Sequence, residues 1–147
     1  MEQDVERSRV VLIVEDDTEL RALATVLLEE ADLRVVEASS GEEALHYLNE
    51  HAGEVALLFA DVRLPCLMNG VDLARTVTLQ WPWVRIVLTL GAPLEQNLDT
   101  ALRHVRFMPK PWRALEVLME AEKAAKATRY EATVSSTETG KVKAFPA

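Results

Sequence analysis

Seven residues in the middle of the chain, Val55–Asp61, constrain the fold more than any other stretch. Six are apolar in an unbroken run, with Gly53 before it and Pro65 soon after it. A short, continuously apolar segment is typical of a strand buried on both faces, as in a parallel sheet covered by helices. The run ends on a carboxylate, which is costly to bury unpartnered. We therefore expect Asp61 at the mouth of the strand, where open α/β sheets bind ligands. An acid that merely starts a turn is the alternative.

A second apolar run near the N-terminus ends in the same way. Val10–Val14 is followed by Glu15, Asp16 and Asp17. Asp17 or Thr18 can cap the helix that begins there, and a cap needs only one of three neighbouring carboxylates that repel one another. At least one acid is therefore left for a cation.

The spacing of apolar residues in the rest of the chain predicts further strands that alternate with helices. The predicted elements in chain order are strand 10–14, a helix to about 31, strand 33–38, helix 42–50, strand 55–60, helix 69–80, strand 84–88, a weak helix 94–103, strand 105–108 and a last helix 112–128. Such alternation predicts an α/β fold, a doubly wound, flavodoxin-like sheet of five parallel strands in the order 2-1-3-4-5. The polar residues that follow the strands then share one edge of the sheet.

Composition narrows the class of protein. The 147 residues suit one domain with its own core, and 24 acidic against 16 basic residues disfavour a nucleic-acid-binding protein. The single Cys66 excludes an internal disulfide, no apolar run is long enough to span a membrane, and the first nine residues do not form a signal peptide. We expect a cytoplasmic protein that contacts neither nucleic acid nor membrane.

The chain divides into three parts. Residues 1–9 form a polar arm, residues 10–129 the domain, and residues 130–147 a tail that is flexible or forms a small hairpin or arm. In the last helix, Leu115, Leu118 and Met119 are expected to pack inward.

The residues at the sheet edge suit phosphate chemistry. Clustered carboxylates without histidine or cysteine favour Mg²⁺, which bridges to phosphate oxygens. Lys110 supplies a point charge for the same phosphate, and Thr89 adds a hydroxyl donor. A carboxylate facing a metal-bound phosphoryl donor can become an aspartyl phosphate.

Over about residues 10–128 the chain resembles the receiver domains of two-component response regulators. The resemblance rests on Glu15-Asp16, Asp61, Thr89 and Lys110-Pro111 in that order. It implies that Asp61 accepts the phosphoryl group. It also implies that Mg²⁺ is held by Glu15, Asp16, Asp61 and the backbone carbonyl of Arg63, and that Thr89 and Lys110 contact the phosphoryl group.

The resemblance also implies a switch in which Phe107 turns inward while Thr89 moves toward the phosphoryl group. The chain departs from the commonest pattern in three places. The loop from Pro65 to Gly70 is one residue longer, Leu90 and Gly91 follow the threonine, and the helix over 94–103 is weak.

The function implied is a stand-alone phosphorylation-dependent switch or phosphorelay intermediate. Its donor is a histidine kinase or a histidine phosphotransfer protein, and its output is a downstream protein target, with a homodimer as a further option. The chain is not expected to be an enzyme, although it assists its own phosphorylation and dephosphorylation. Two alternatives stay open. One is a degenerate receiver that binds partners without phosphorylation. The other is a haloacid-dehalogenase-like phosphatase, whose Asp-x-Asp is replaced here by Glu15-Asp16-Asp17.

Overall fold

The computed structural model describes residues 9–92 and 102–137, with side chains described as far as residue 127. The strands are β1 (Val10–Val14), β2 (Arg34–Ala38), β3 (Val55–Asp61), β4 (Arg85–Leu90) and β5 (Arg106–Pro109). The helices are α1 (Thr18–Glu29), α2 (Gly41–His51), α3 (Gly70–Gln80) and α4 (Ala114–Thr137), and a 3₁₀ turn at Ala52–Glu54 joins α2 to β3. Among the described residues, no helix is long and apolar enough to cross a membrane.

The strands form one parallel sheet in the order β2-β1-β3-β4-β5, which confirms the predicted fold. The strand β3 lies at its centre, and all seven of its residues are buried. In the register, Val14 lies beside Ala60, and Asp61 lies beside Thr89. The ends of β1, β3 and β4 are therefore level, so the polar groups that end or follow them are neighbours.

Helices cover both faces of the sheet because successive strand residues point to opposite sides. On one face, Leu12 and Leu58 pack with Leu48 of α2 and Val77 of α3. On the other face, the core is formed between the sheet and the helices α1 and α4. It contains Val11, Ile13, Leu28, Phe59, Met108 and Val117. The apolar runs of β1 and β3 are continuous because each strand supplies side chains to both layers.

Side-chain caps fix where three helices begin. The Asp17 carboxylate accepts from the backbone N–H groups of Glu19 and Leu20, and Ser40 caps α2 in the same way. Asn69 and Asp72 form a reciprocal capping box at the start of α3. Asp17 is thus the cap of α1, which leaves Glu15 and Asp16 for another role.

The inward face predicted for the last helix is wrong. Leu115 is 68% exposed, Met119 is 46% exposed and Leu118 is half-buried. The buried face carries smaller residues together with one acid. Its members are Val117, Glu120, Ala121, Ala124 and Ala125. Alanines let the helix lie close to the sheet, where Phe59 and Met108 supply the volume. The helical spacing of the larger apolar residues therefore indicated the wrong face of the helix.

The end predicted for this helix is also wrong, because α4 continues past Thr128 to Thr137. No glycine or proline occurs between Trp112 and Gly140, so nothing in the sequence stops the helix earlier. The backbone of 130–137 is accordingly helical and forms no hairpin. Most of the weak helix predicted over 94–103, and the residues after 137, lie outside the described residues. The outer limits of the domain stay predictions.

Candidate functional site

Three carboxylates meet at the level edge of β1 and β3. Glu15 and Asp61 are buried, 3% and 8% exposed, while Asp16 is exposed to solvent. Ligand oxygens of these three side chains lie within 4.8 Å of one another. Hard oxygen donors at this spacing fit a divalent cation such as Mg²⁺. The sequence predicted this cluster, and the structure brings all three residues together.

Lys110 follows β5 and reaches into the same cluster. Its Nζ lies 2.9 Å from Asp61 Oδ2 and 3.0 Å from Glu15 Oε1. Its backbone N–H donates to the carbonyl of Leu90 at 2.9 Å, which fixes the chain beside β4. The positively charged ammonium group of Lys110 therefore lies between two buried carboxylates.

Burial and hydrogen bonding in this cluster shift the pKa values of Glu15 and Lys110. Burial raises the pKa of the Glu15 carboxyl above its ordinary value, and the hydrogen bonds from Lys110 and the Asp17 backbone offset this only in part. Burial alone lowers the pKa of Lys110, but hydrogen bonds to Asp61 and Glu15 outweigh it and raise that pKa. Lys110 therefore stays charged, and excess negative charge remains around it for a second cation to neutralise.

The backbone around Asp61 is held by several hydrogen bonds. The Arg63 N–H donates to Asp61 Oδ1 at 3.1 Å, and the Val62 N–H donates to the carbonyl of Thr89 at 2.8 Å. Gly70 passes so close behind the site that a Cβ there would overlap the carbonyl oxygen of Asp61. Only glycine fits this position, and the carboxylate is oriented before any ligand arrives.

Thr89 lies beside Asp61 in the sheet register and is 1% exposed. Its hydroxyl oxygen has no hydrogen-bond partner among the described residues. A buried hydroxyl is normally satisfied. The Thr89 hydroxyl is therefore an unused hydrogen-bond donor at the edge of the sheet, and it suits an oxygen-rich ligand.

Phe107 and Arg63 are two further residues for which a role at the site was predicted. Phe107 lies on β5 opposite Leu88, is half-buried and packs against the core beneath the edge. Arg63 is exposed, and only its N–H is seen to contact Asp61. The roles of Phe107 as a switch and of the Arg63 carbonyl as a metal ligand stay predictions.

Two supporting residues were not found from the sequence. Arg21 of α1 donates from Nη1 to the carbonyl of Glu15 at 2.7 Å and pairs with Glu37 of β2. Glu42 of α2 accepts from two N–H groups of the loop after Asp61. The Arg21–Glu37 pair and the two contacts of Glu42 join residues at least 16 positions apart, so no local pattern signals them.

Comparison with known proteins gives the class of this chain. It matches the family model of the response regulator receiver domain over residues 11–123. The chain therefore belongs to the response regulator receiver family, whose members act in two-component signalling with histidine kinases.

Individual relatives cover the chain to different extents. It is 33% identical over 109 residues to the transcriptional regulatory protein CpxR of Escherichia coli strain K12, covering 74% of this chain and 45% of that protein. It is 31% identical over 115 residues to the response regulator receiver protein CpdR of Brucella abortus strain 2308, covering 77% and 93%. The chain thus spans less than half of CpxR and almost all of CpdR.

Solved structures confirm the fold. A CheY-like receiver domain protein from Methanospirillum hungatei JF-1 superposes with a TM-score of 0.73 at 22% identity, covering 84% of this chain and 98% of that one. At this identity the likeness establishes the architecture alone.

Proposed function

We propose that the chain is a phosphorylation-dependent switch or phosphorelay intermediate that accepts a phosphoryl group on Asp61 from a histidine kinase or a histidine phosphotransfer protein. The observation that carries the proposal is the pairing of Asp61 Oδ2 with Lys110 Nζ at 2.9 Å beside the unpartnered Thr89 hydroxyl. These groups support the proposal because a phosphoryl group needs an acceptor oxygen, a cation and a hydrogen-bond donor at one edge of the sheet.

The residues divide the chemistry between them. An Asp61 carboxylate oxygen attacks phosphorus, and the bond from phosphorus to the donor's histidine nitrogen breaks. The nitrogen keeps that electron pair, and the imidazole leaves neutral because its other nitrogen carries a proton. Lys110 and Thr89 stabilise the charge on the transferred group. Mg²⁺, held by Asp16, Asp61, Glu15 and the Arg63 carbonyl, would neutralise phosphoryl charge when bound.

The proposed output is a contact with a downstream protein in the cytoplasm. A phosphoryl group at Asp61 adds negative charge at a buried edge, and it can shift a conformational equilibrium only by binding one state better. Thr89 and Phe107 lie on neighbouring strands and are the proposed carriers of that shift. A homodimer is one form that the output can take. Beyond assisting its own phosphorylation and dephosphorylation, the chain has no proposed enzymatic reaction.

Acetyl phosphate tests the proposal without a partner protein. The purified chain is incubated with acetyl phosphate and Mg²⁺, and the intact mass is measured. We expect a phosphate adduct that Asp61→Asn abolishes. The control is Glu120→Gln, which changes a buried carboxylate outside the site and should keep the adduct. A chain without an Asp61-dependent adduct, and without affinity for the phosphate mimic beryllofluoride, is a degenerate receiver.

A further inference from the structure

The most exposed large apolar side chain described in the structure lies on the loop that follows Asp61. Leu67 is 96% exposed, and Leu79 of α3 follows at 73%. Leu67 belongs to the loop 62–69, which leaves Asp61 and leads into α3. A single exposed leucine is ordinary on a protein surface. Leu67 differs from an ordinary exposed leucine because the loop that carries it has a defined conformation.

The backbone of this loop is fixed by contacts with the first turn of α2. One oxygen of the Glu42 carboxylate, Oε2, accepts from the backbone N–H groups of both Leu67 and Met68, each at 3.0 Å. Met68 is half-buried and lies against Gly41, where a Cβ would come within 3.1 Å of Met68 Cγ. Glu42 and Gly41 both belong to the first turn of α2. A neighbouring helix therefore fixes the backbone that carries Leu67.

The loop also accepts an unfavourable backbone conformation. Cys66 has φ = 73°, a left-handed value that costs a non-glycine residue about 1 kcal/mol. Immediately after Met68, the Asn69–Asp72 capping box begins α3. Contacts that overcome local strain indicate a defined loop shape. Leu67 is accordingly presented to solvent by a pre-organised loop.

The position of the loop identifies what can cover it. Asp61 is only 8% exposed, so a protein that delivers a phosphoryl group to it must press its surface against the rim of the site. Leu67 lies on the loop that leaves this edge of the sheet, the same loop as the Arg63 N–H that orients Asp61. The segments that follow β1 and β2 at this edge carry exposed acids, namely Asp16, Asp17, Glu19 and Glu42. A complementary partner offers an apolar depression bordered by lysine or arginine beside its phosphohistidine.

We propose that Leu67 is an anchor for the protein phosphodonor and that Glu42 is the positioning residue that presents it. The inference rests on the proposed function, because it concerns how a protein donor reaches Asp61. An apolar anchor that leaves water at an interface contributes to affinity, and a loop that is already ordered loses little entropy on binding. Small donors such as acetyl phosphate need no such contact.

The test compares protein and small-molecule donors on the same variants. Each histidine kinase and histidine phosphotransfer protein encoded in the same genome is purified in its phosphorylated form, and the fastest donor to the wild-type chain is used. We expect Leu67→Ser to lower kcat/KM for transfer from that protein by about tenfold or more, mainly through KM. The rate with acetyl phosphate should stay within about twofold of wild type, because Leu67 does not take part in the chemistry.

Two further variants locate the effect. Leu79→Ser removes a comparably exposed leucine from α3 and should leave transfer from the protein donor unchanged. Glu42→Ala frees the loop and should also raise KM for the protein donor. Glu42→Gln retains an oxygen that can accept both N–H groups and should restore most of the affinity. Amide chemical shifts of Leu67 and Met68 report directly whether the loop has been released.

The outcomes separate the two proposals. If acetyl phosphate does not modify Asp61, the proposed function fails and the docking role fails with it. If acetyl phosphate works but no protein donor does, the docking role fails together with the protein-donor part of the proposed function. If Leu67→Ser leaves transfer from the protein donor unchanged, only the docking role is refuted. An equal loss with both kinds of donor would assign Leu67 to the chemistry or to loop folding. Self-association that depends on Leu67 in the absence of donor would assign it to a homodimer. Either result overturns the inference.

Discussion

Two clusters of carboxylates and cations, each containing at least one buried acid, lie at opposite ends of β4 and β5, and they have opposite charge balance. At the ends that carry Thr89 and Lys110, one lysine pairs with the buried Glu15 and Asp61, and the exposed Asp16 adds a third carboxylate. At the starting ends, Glu120 of α4 is surrounded by three cations. Its oxygens lie 2.9 Å from Arg85 Nε and 3.6 Å from nitrogens of Arg106 and Lys123.

The difference separates a structural cluster from a functional one. Glu120 is 2% exposed, but its charge is fully compensated by groups already present. The acids near Lys110 repel one another, and the raised pKa of Glu15 is one result of its burial among them. A protein keeps such an imbalance where a ligand of the missing sign binds, at some loss of stability. The acidic cluster could therefore hold a further cation, while the charge of Glu120 is already balanced by its three partners.

Stability should respond in opposite directions at the two clusters, and this is the largest expected effect. Glu120→Ala removes the carboxylate that hydrogen-bonds to the half-buried Arg85 and pairs with the exposed Arg106 and Lys123, and it should lower the free energy of unfolding by about 2 kcal/mol. Asp61→Asn reduces the repulsion on Glu15 while an amide oxygen can still accept from Lys110, so it should leave stability unchanged or raise it. Urea unfolding without added Mg²⁺ measures both changes.

Glu120→Gln is the control for lost volume, because it keeps the side-chain size and removes only the charge. It should destabilise less than Glu120→Ala. If Asp61→Asn proves as destabilising as Glu120→Ala, the two clusters are alike and the functional interpretation of the acidic one loses its energetic support.

The sequence predicted one cluster and not the other for a physical reason. Glu15 and Asp61 directly follow or end continuous apolar runs, and parallel strands bring such ends together. Glu120 lies within a helix in which acids occur all along the chain, and its burial depends on α4 turning its alanine face to the sheet. Periodicity favoured Leu115 and Met119 for that face, so the buried acid remained hidden.

The loop after Asp61 shows a second limit of prediction. Its extra length was visible, but its shape depends on Glu42, which is separated from Leu67 by 25 residues along the chain. The positive φ of Cys66 could not be anticipated either, because such values are normally assigned to glycine. The sequence thus located the chemistry at strand ends, whereas tertiary contacts determine how the site is presented to a partner.

The second largest expected effect is on Mg²⁺ affinity, which should depend on the acidic cluster and not on the cluster around Glu120. Asp16→Ala removes a charged oxygen from the acidic cluster and should weaken Mg²⁺ binding by about tenfold or more, since a hard cation is held by few carboxylates. Asp61→Asn should have a similar effect, and Glu120→Gln should have none. Isothermal titration with Mg²⁺ measures the affinities. Wild-type affinity in Asp16→Ala would mean that the acids after β1 do not hold the metal.

The response to phosphorylation should depend on the lysine in the acidic cluster. In the wild type, beryllofluoride should shift backbone resonances from the site through residues 91–112, because we propose that Thr89 and Phe107 carry the response from Asp61 to that segment. Lys110→Ala should confine the shifts to the loop after Asp61, a loss of about 1 kcal/mol in coupling. It should not weaken Mg²⁺ binding, because Lys110 is a cation and cannot be a metal ligand. Wild-type-like shifts in Lys110→Ala would exclude the lysine from the switch.

The smallest expected effect concerns how long the acidic cluster keeps its phosphoryl group. Leu90 is half-exposed at the end of β4, and its carbonyl accepts from the Lys110 N–H beside the site. Hydrolysis requires a water in line with the bond from Asp61 to phosphorus, and a bulky apolar side chain at the edge restricts its approach without offering it a hydrogen bond. Gly91 has no side chain to orient that water.

Leu90→Ala should therefore speed loss of phosphate by about two- to fivefold, less than about 1 kcal/mol of barrier. Its backbone carbonyl, and with it the position of Lys110, is retained. A decay time course in Mg²⁺, followed by intact mass, measures the rate. Unchanged or slower decay in Leu90→Ala would show that water reaches the phosphoryl group by a path that Leu90 does not control.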